Sequence, residues 1–419
     1  MKLAPALALI GIAIAAAAPA VAGASRAHYD VDYHVQFLPR DGVAAVTITT
    51  RPHDARATRM RLRMDPSRYS QVSGDGRVMH SGDRVTWEPP EQGGALHYRY
   101  KIDRKRRGGG YDAKIGPHWA IVRGDDLVPA AAVVATAGAD SRARLRFTLP
   151  DGWTNVDTPY RRARNGRDFI VIDPKHRFDR PAGWLIAGEV GTRREWIGGC
   201  ELSVAGPKGE SVRRNDVVAF ANLTLPQFAR AFGALPPKLL VVSAGDPMWR
   251  GGLSGPRSLF LHAGRPLVSE NGTSSLVHEL FHAITRIRGG DDDDWIAEGL
   301  AEYYAIELPR RAGLLSASRF DKALAWMQRF SKGVTRLRVR HATSQTTARA
   351  VLLLRELDRE ISSHRGGEAG LDDVVRALIP IREVSLGDLR AAAKRAIGAP
   401  SKVLESPLLA EPDRPRATP

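Results

Sequence analysis

The sequence predicts a multidomain α+β protein, a β-sandwich domain followed by a mainly helical one, and three observations carry that expectation. At 419 residues the chain is too long for one comfortable core. Residues 28 to about 190 read as short strands between turn clusters, and from about 191 the pattern shifts toward helix-period sequence. Hydrophobic content of 43% and charged content of 26% are ordinary for a globular chain, which excludes wholesale disorder.

Residues 1–24 read as a cleavable leader. Lys2 supplies a short positive start, residues 3–18 are apolar apart from Pro5 and Gly11, and Ala20-Val21-Ala22 and Ala22-Gly23-Ala24 both fit a small-x-small cleavage rule. A membrane anchor is the competing reading. The low bulk of the alanines, the breaker Pro19 and the polar residues that follow favour cleavage, so no stable membrane anchor is expected afterwards.

The expected β-rich domain covers residues 25–190. Residues 29–37 alternate apolar and polar, as do 43–49 and 96–102, with Ser73-Gly74-Asp75-Gly76 and Glu88-Pro89-Pro90 as turn clusters. That pattern predicts an antiparallel β-sandwich. In the expected second domain, 191–403, residues 216–232 predict a helix, and 239–243 and 258–262 predict buried strands. Residues 274–288 and 295–308 predict helices, and the sequence stays largely helical to about 403. Residues 404–419, rich in proline, predict a disordered tail.

The formal charge is +16, but the arginines are scattered and no nucleic-acid motif accompanies them, so nucleic acid is not an expected partner. A solvated basic surface is the simplest reading, with loose attraction to anionic envelope surfaces or acidic substrates beside it. The single cysteine, Cys200, excludes an intramolecular disulfide framework and reads as a small buried hydrophobe rather than a nucleophile. With the leader and the Ala/Arg/Gly-rich composition, this predicts a bacterial periplasmic or secreted protein.

His278-Glu279-Leu280-Phe281-His282 is an H-E-x-x-H pattern. On a helix, residues four apart share a face, so both imidazoles can reach one ion. Glu279 is turned about 100° from His278, which sets its carboxylate beside the ion as a general base. Leu276, Val277, Leu280, Phe281 and Ile284 make the helix a buried one. A catalytic zinc needs three protein ligands and an open position. Glu298, at the start of the next predicted helix, can supply the third, with Glu302 one turn on to receive the far N–H of a histidine. The reverse assignment, Glu302 ligating and Glu298 supporting, stays open. Two histidines and a carboxylate suit one zinc ion best, without excluding other divalent metals.

H-E-L-F-H followed by Trp295-Ile296-Ala297-Glu298-Gly299-Leu300-Ala301-Glu302-Tyr303-Tyr304 resembles the gluzincin peptidases. Within them the chain resembles the M1 aminopeptidases and, more closely, the M61 glycyl-aminopeptidase family. The resemblance implies a thermolysin-like catalytic domain, a peptide or protein substrate, ligand roles for His278, His282 and Glu298, and the base role for Glu279. Gly251-Gly252-Leu253 resembles the glycine-rich opening of the strand that lines the substrate in these families, and the strand at 258–262 is then expected to pair with an extended peptide.

Two positions depart from the family pattern. Where relatives keep an acidic residue for the substrate's free amine, this chain has Ser254, followed by Gly255 and Pro256. Where they keep an oxyanion-steadying tyrosine, it has Thr347-Ala348-Arg349-Ala350, and Arg349, Tyr303, Tyr304 or His341 are the candidates to act instead. Loss of one such donor costs on the order of 10²–10³ in rate. The expected function is therefore an exported zinc metallopeptidase without a firm aminopeptidase specificity. The alternative is a zinc-holding pseudo-peptidase that grips extended peptides with little turnover. Asp291 to Asp294 read as a solvated turn, His262 as either a packed strand residue or a neighbour of the site, and Trp295 as a staple at a helix entrance. Oligomeric state is not legible.

Overall fold

The computed structural model describes residues 26–172 and 178–411. The leader expected at 1–24 and residues 412–419 of the expected tail lie outside the described residues.

The strand His28–Leu38 buries every second side chain, from Tyr29 through Val31, Tyr33 and Val35 to Phe37, each exposed by 2% or less. It pairs antiparallel with Val43–Pro52 and parallel with Asp140–Thr148 at the centre of a six-stranded sheet. A four-stranded sheet holds Ala131–Ala135 at one edge and Ala57–Arg63 next to it. A five-stranded sheet contains Trp119–Arg123 beside Trp184–Gly188. Tyr33, Trp87 and Leu185, one from each sheet, meet in a common core. The expected two-sheet antiparallel sandwich is thus corrected to three sheets with a parallel pair inside the largest. Alternation along a strand reports that one face is buried; it does not report which strand lies alongside.

The second part opens with a mixed five-stranded sheet in the order Val190–Ile197, Cys200–Pro207, Lys238–Ala244, Ser258–His262 and Gly252–Gly255. The helix Arg214–Phe232 connects the second of these strands to the third, which run parallel as such a crossover requires. Two features join this sheet to the N-terminal part. Trp184 and Ile186 pack against Leu240, Val242 and Phe260, and the Trp184 backbone N–H donates to Ser258 Oγ at 2.8 Å. Lys238 Nζ meets Asp157 Oδ1 at 2.8 Å, with side chains only 4% and 1% exposed.

Helices follow. Asp294–Arg311 is enclosed on nearly all sides, with Trp295, Ile296, Leu300, Tyr304 and Ile306 fully buried. The helix Ser344–His364 packs across it. Residues 404–411 do not form the loose tail expected for them. Leu404 and Leu409 are buried, short turns run over Val403–Glu405 and Pro407–Leu409, and the Leu337 N–H donates to the Leu408 carbonyl at 2.8 Å. Apolar anchors spaced along the segment hold it, and proline fits the start of such a turn. Among the described residues no helix is long and apolar enough to cross a membrane.

Candidate metal centre

The helix Ser275–Thr285 starts where Ser274 caps it, its hydroxyl accepting from the Val277 N–H at 3.3 Å. Leu276, Val277, Leu280 and Phe281 turn into the core, which leaves His278 and His282 on the opposite face one turn apart. Their Nε2 atoms lie 3.3 Å from one another. Glu298, in the first turns of Asp294–Arg311, brings Oε2 to 3.3 Å from His278 Nε2 and Oε1 to 3.5 Å from His282 Nε2. A tetrahedral zinc with ligand bonds of about 2.0–2.1 Å separates its donors by roughly 3.3–3.4 Å. The two imidazole nitrogens are thus spaced as two vertices of such a tetrahedron, with the Glu298 carboxylate turning one oxygen toward each; among the described residues no fourth His, Cys, Asp or Glu joins the group, and the residues present fit the ion.

Glu302 accepts from His278 Nδ1–H at 2.9 Å, which leaves Nε2 as the donor atom toward a metal. Of the two assignments left open by the sequence, this geometry favours Glu298 in the donor triangle and Glu302 behind it. Gly299 explains how the helix comes so close. A Cβ there would lie 2.7 Å from Ala350 Cβ and 3.1 Å from Leu354 Cδ1 of the crossing helix, so only glycine permits this approach beside Glu298.

The electrostatics are those of a site that holds positive charge among carboxylates. Burial opposes a charge on His278, but Glu298 and Glu302 outweigh it and raise its pKa well above the ordinary value. Burial and the charge of His278 push His282 down to about 4. Burial also opposes the Glu298 charge, yet the hydrogen bond from His278 and the two nearby imidazoles lower its pKa to about 2.

Glu279 lies beside the triangle under the edge strand Gly252–Gly255. Burial lifts its pKa above the usual carboxylate range, while His278 and hydrogen bonds from the Ser254 hydroxyl and backbone N–H pull the other way. A Cβ on residue 252 would stand 2.8 Å from Glu279 Cγ, and one on residue 251 would fall 2.1 Å from the Trp249 ring. An added Cβ at either glycine would thus displace the side chain that lies against it. The strand 258–262, expected to receive a peptide, is interior: Lys238–Ala244 pairs with one side and Gly252–Gly255 with the other. The free edge belongs to Gly252–Gly255. There the Leu253 carbonyl already accepts from Trp184 Nε1 at 2.9 Å, and the Ser254 carbonyl from Arg123 Nη1 at 3.3 Å.

Several expected contacts are not brought to the site. Tyr303 and Tyr304 are buried, and their hydroxyls donate to Asp358 at 2.8 Å and Asp372 at 2.7 Å. Both phenols are rotated around the helix from the face that carries Glu298 and Glu302. Arg349 has a buried Nε without a hydrogen-bond partner, and among the described residues no contact ties it to the donor triangle. His341 is exposed, and His262 is buried with its Nδ1 accepting from the Gly264 N–H. Asp293 is no solvated turn residue: 4% exposed, it accepts from the Leu386 N–H at 2.8 Å and Arg338 Nε at 3.2 Å. Trp295 lies inside the helix rather than ahead of it. Cys200 is buried, which pushes its thiol up to about 12 and makes it an unreactive core residue.

Ser254 and Arg123 are the residues that reading along the chain missed. Ser254 stood out only as a departure from a family pattern, and nothing in the sequence linked it to Glu279 or to Arg123.

No family model and no curated protein matches the sequence. Solved structures do. An aminopeptidase N family protein from Idiomarina loihiensis aligns with TM-score 0.60 at 12% identity, over 88% of this chain and 71% of that one. An M1 zinc metallopeptidase from Deinococcus radiodurans aligns with TM-score 0.54 at 17% identity, over 94% and 95%. Native yeast LTA4 hydrolase aligns with TM-score 0.58 at 11% identity, over 94% and 69%. At these identities the likeness is one of architecture: this chain shares the fold of these solved metallopeptidase, aminopeptidase N family and LTA4 hydrolase structures.

Proposed function

We propose that this chain is a zinc-dependent peptidase of the gluzincin type, hydrolysing peptide bonds with Glu279 as general base. The observation that carries the proposal is the triangle of His278, His282 and Glu298, with donor separations of 3.3–3.5 Å and the Glu279 carboxylate beside it. The fold shared with the solved M1 metallopeptidase and aminopeptidase N family structures supports it, with the domain at 191–403 taken as thermolysin-like. Bound by the triangle, zinc supplies the Lewis acidity that polarises a peptide carbonyl and lowers the pKa of water. Glu279 takes the proton of the attacking water and passes it to the departing amide nitrogen. Ser254 lies close enough to that carboxylate to favour its charged form, and Glu302 keeps His278 in the tautomer that presents Nε2. A peptide laid along the edge Gly252–Gly255 would bring its carbonyl beside Glu279 and the residues that would hold the ion.

Ser254 stands where an amine-binding carboxylate is expected in aminopeptidases, and its side chain carries no charge to hold an ammonium group. This supports internal cleavage, or action on unusual N-termini, over ordinary aminopeptidase specificity. The leader-like start and the single buried cysteine support a periplasmic or secreted site of action.

The test compares zinc content and peptide hydrolysis of the wild type and Glu279→Gln. One zinc per chain is expected in both, with hydrolysis lower by roughly 10²–10⁴ in the variant. Equal hydrolysis removes the mechanism. Peptide binding without cleavage at full zinc occupancy makes the chain a binding protein instead.

A further inference from the structure

His282 and Ser254 also form part of the wall of a groove of about 680 Å³ next to the donor triangle. Five arginines line it, Arg123, Arg180, Arg286, Arg288 and Arg382, against two carboxylates, Asp125 and Glu383. Asp125 Oδ2 is engaged by Arg123 Nε at 3.1 Å, and Glu383 faces Arg288 at 3.8 Å. The wall therefore carries three more guanidiniums than carboxylates, of which Arg286 also has a further interaction within the protein. Arg180 is anchored by Nη1, which donates to the backbone carbonyls of Asp125 and Val128 at 3.3 and 2.7 Å. All but Arg288 are partly buried, where low dielectric strengthens their field.

The backbone supplies a second observation. Arg286 has φ +57° and Arg382 has φ +67°, in the left-handed region that glycine adopts freely and a side chain does not. Arg286 ends the motif helix four residues after His282, a position where glycine is the common solution. Glycine at either place would therefore remove a guanidinium while relaxing the backbone.

We propose that this groove is a carboxylate-binding subsite. It selects peptides that carry an Asp or Glu side chain, or a free C-terminus, close to the bond that is cut. Planar guanidiniums match a carboxylate bidentately, which suits arginine better than lysine. The substrate is then held by its acid rather than by its amine, in keeping with a serine, not a carboxylate, at position 254. A neighbouring hollow of about 630 Å³ shares Asp125, Arg180, Pro256 and Arg286 with the groove, and continues along Val133 and Val134 of an edge strand. The acidic group thus has a weakly apolar track beyond it.

The role of the groove in substrate choice rests on the peptidase reading; its binding of carboxylates does not. The test uses the zinc-loaded full chain and short alanine-based, internally quenched peptides with Glu or Gln at one position, each as free acid and as amide. Calorimetry on Glu279→Gln protein reads affinity without turnover, and kcat/KM of the wild type reads selection. Acidic peptides are expected to bind about tenfold or more tightly than their neutral twins, with the margin shrinking as salt is added. Loss of the margin on amidation assigns the subsite to the C-terminus; its survival assigns it to the side chain. The double variant Arg286→Gly with Arg382→Gly removes two guanidiniums while relaxing the backbone. It is expected to keep its melting temperature and lose most of the margin. Equal affinity for acidic, neutral and amidated peptides overturns the subsite even where all are cleaved, as does a full margin in the double variant. A margin in affinity with no cleavage at all sinks the peptidase reading and leaves the subsite standing.

Discussion

Replacing Gly252 with alanine adds one methyl group, and that methyl would stand 2.8 Å from Glu279 Cγ and 2.9 Å from its Oε1. Ordinary contact begins at 3.4 Å, so the glutamate has to retreat by about 0.6 Å or more. The collision falls on a side chain rather than on backbone, and residue 252 lies in an extended strand where alanine fits, so the cost in stability is small. The cost falls on chemistry. Glu279 lies against the strand Gly252–Gly255, and the retreat takes its carboxylate away from its place beside Ser254 and the donor triangle. A displacement approaching 1 Å costs up to about 10²-fold in rate, equivalent to about 2.7 kcal/mol in the barrier. The assay is kcat at saturating peptide, with zinc content and a thermal melt measured on the same preparation. The expected result is a kcat lower by about 10²-fold at unchanged zinc content, since no donor of the triangle meets the added methyl. Wild-type kcat at full zinc would refute the role of Glu279 as a base held against residue 252. Loss of zinc along with the rate would refute the separation between the base and the metal-holding groups.

Glu302→Ala removes the acceptor that holds His278 and is expected to weaken zinc binding about 10–100-fold, measured by competition with a chelator; unchanged affinity would deny the hydrogen bond a supporting role. Gly299→Ala drives a methyl against Ala350, so a loss of about 1–3 kcal/mol in urea unfolding is expected, and an unshifted midpoint would show that the helix crossing is looser than described. Tyr303→Phe removes a hydroxyl bonded to Asp358 away from the donor triangle, so kcat is expected to stay within about twofold while stability falls by about 1 kcal/mol. A rate loss on the scale of an oxyanion donor, about 10²-fold or more, would place that phenol in the reaction after all.

Much of the metal site could be read along the chain because its spacing is local. Four residues make nearly one helical turn, so His278 and His282 had to share a face wherever that helix lay. Glu298 and Glu302 obey the same rule on the next helix. Tyr303 and Tyr304 show where it runs out. Their rotation away from Glu302 is implicit in the sequence, but Asp358 and Asp372, which take up their hydroxyls, lie 55 and 68 residues further on. The strands behaved alike. Alternation marked residues 29–37 as half-buried, while the parallel partner Asp140–Thr148 depended on a pairing more than a hundred residues away.

By itself, the sequence determined the chemistry that neighbours within a helical turn create: two imidazoles on one face, a carboxylate turned to the side, and a second pair of glutamates in matching register. The tertiary structure decided what surrounds that chemistry. It brought Ser254 and Gly252 onto Glu279, sent the tyrosines into the core, and gathered arginines from positions 123 to 382 into one groove. Helical rise and twist are set residue by residue, whereas contacts between distant segments follow from which apolar faces bury one another, and a single sequence does not state that choice.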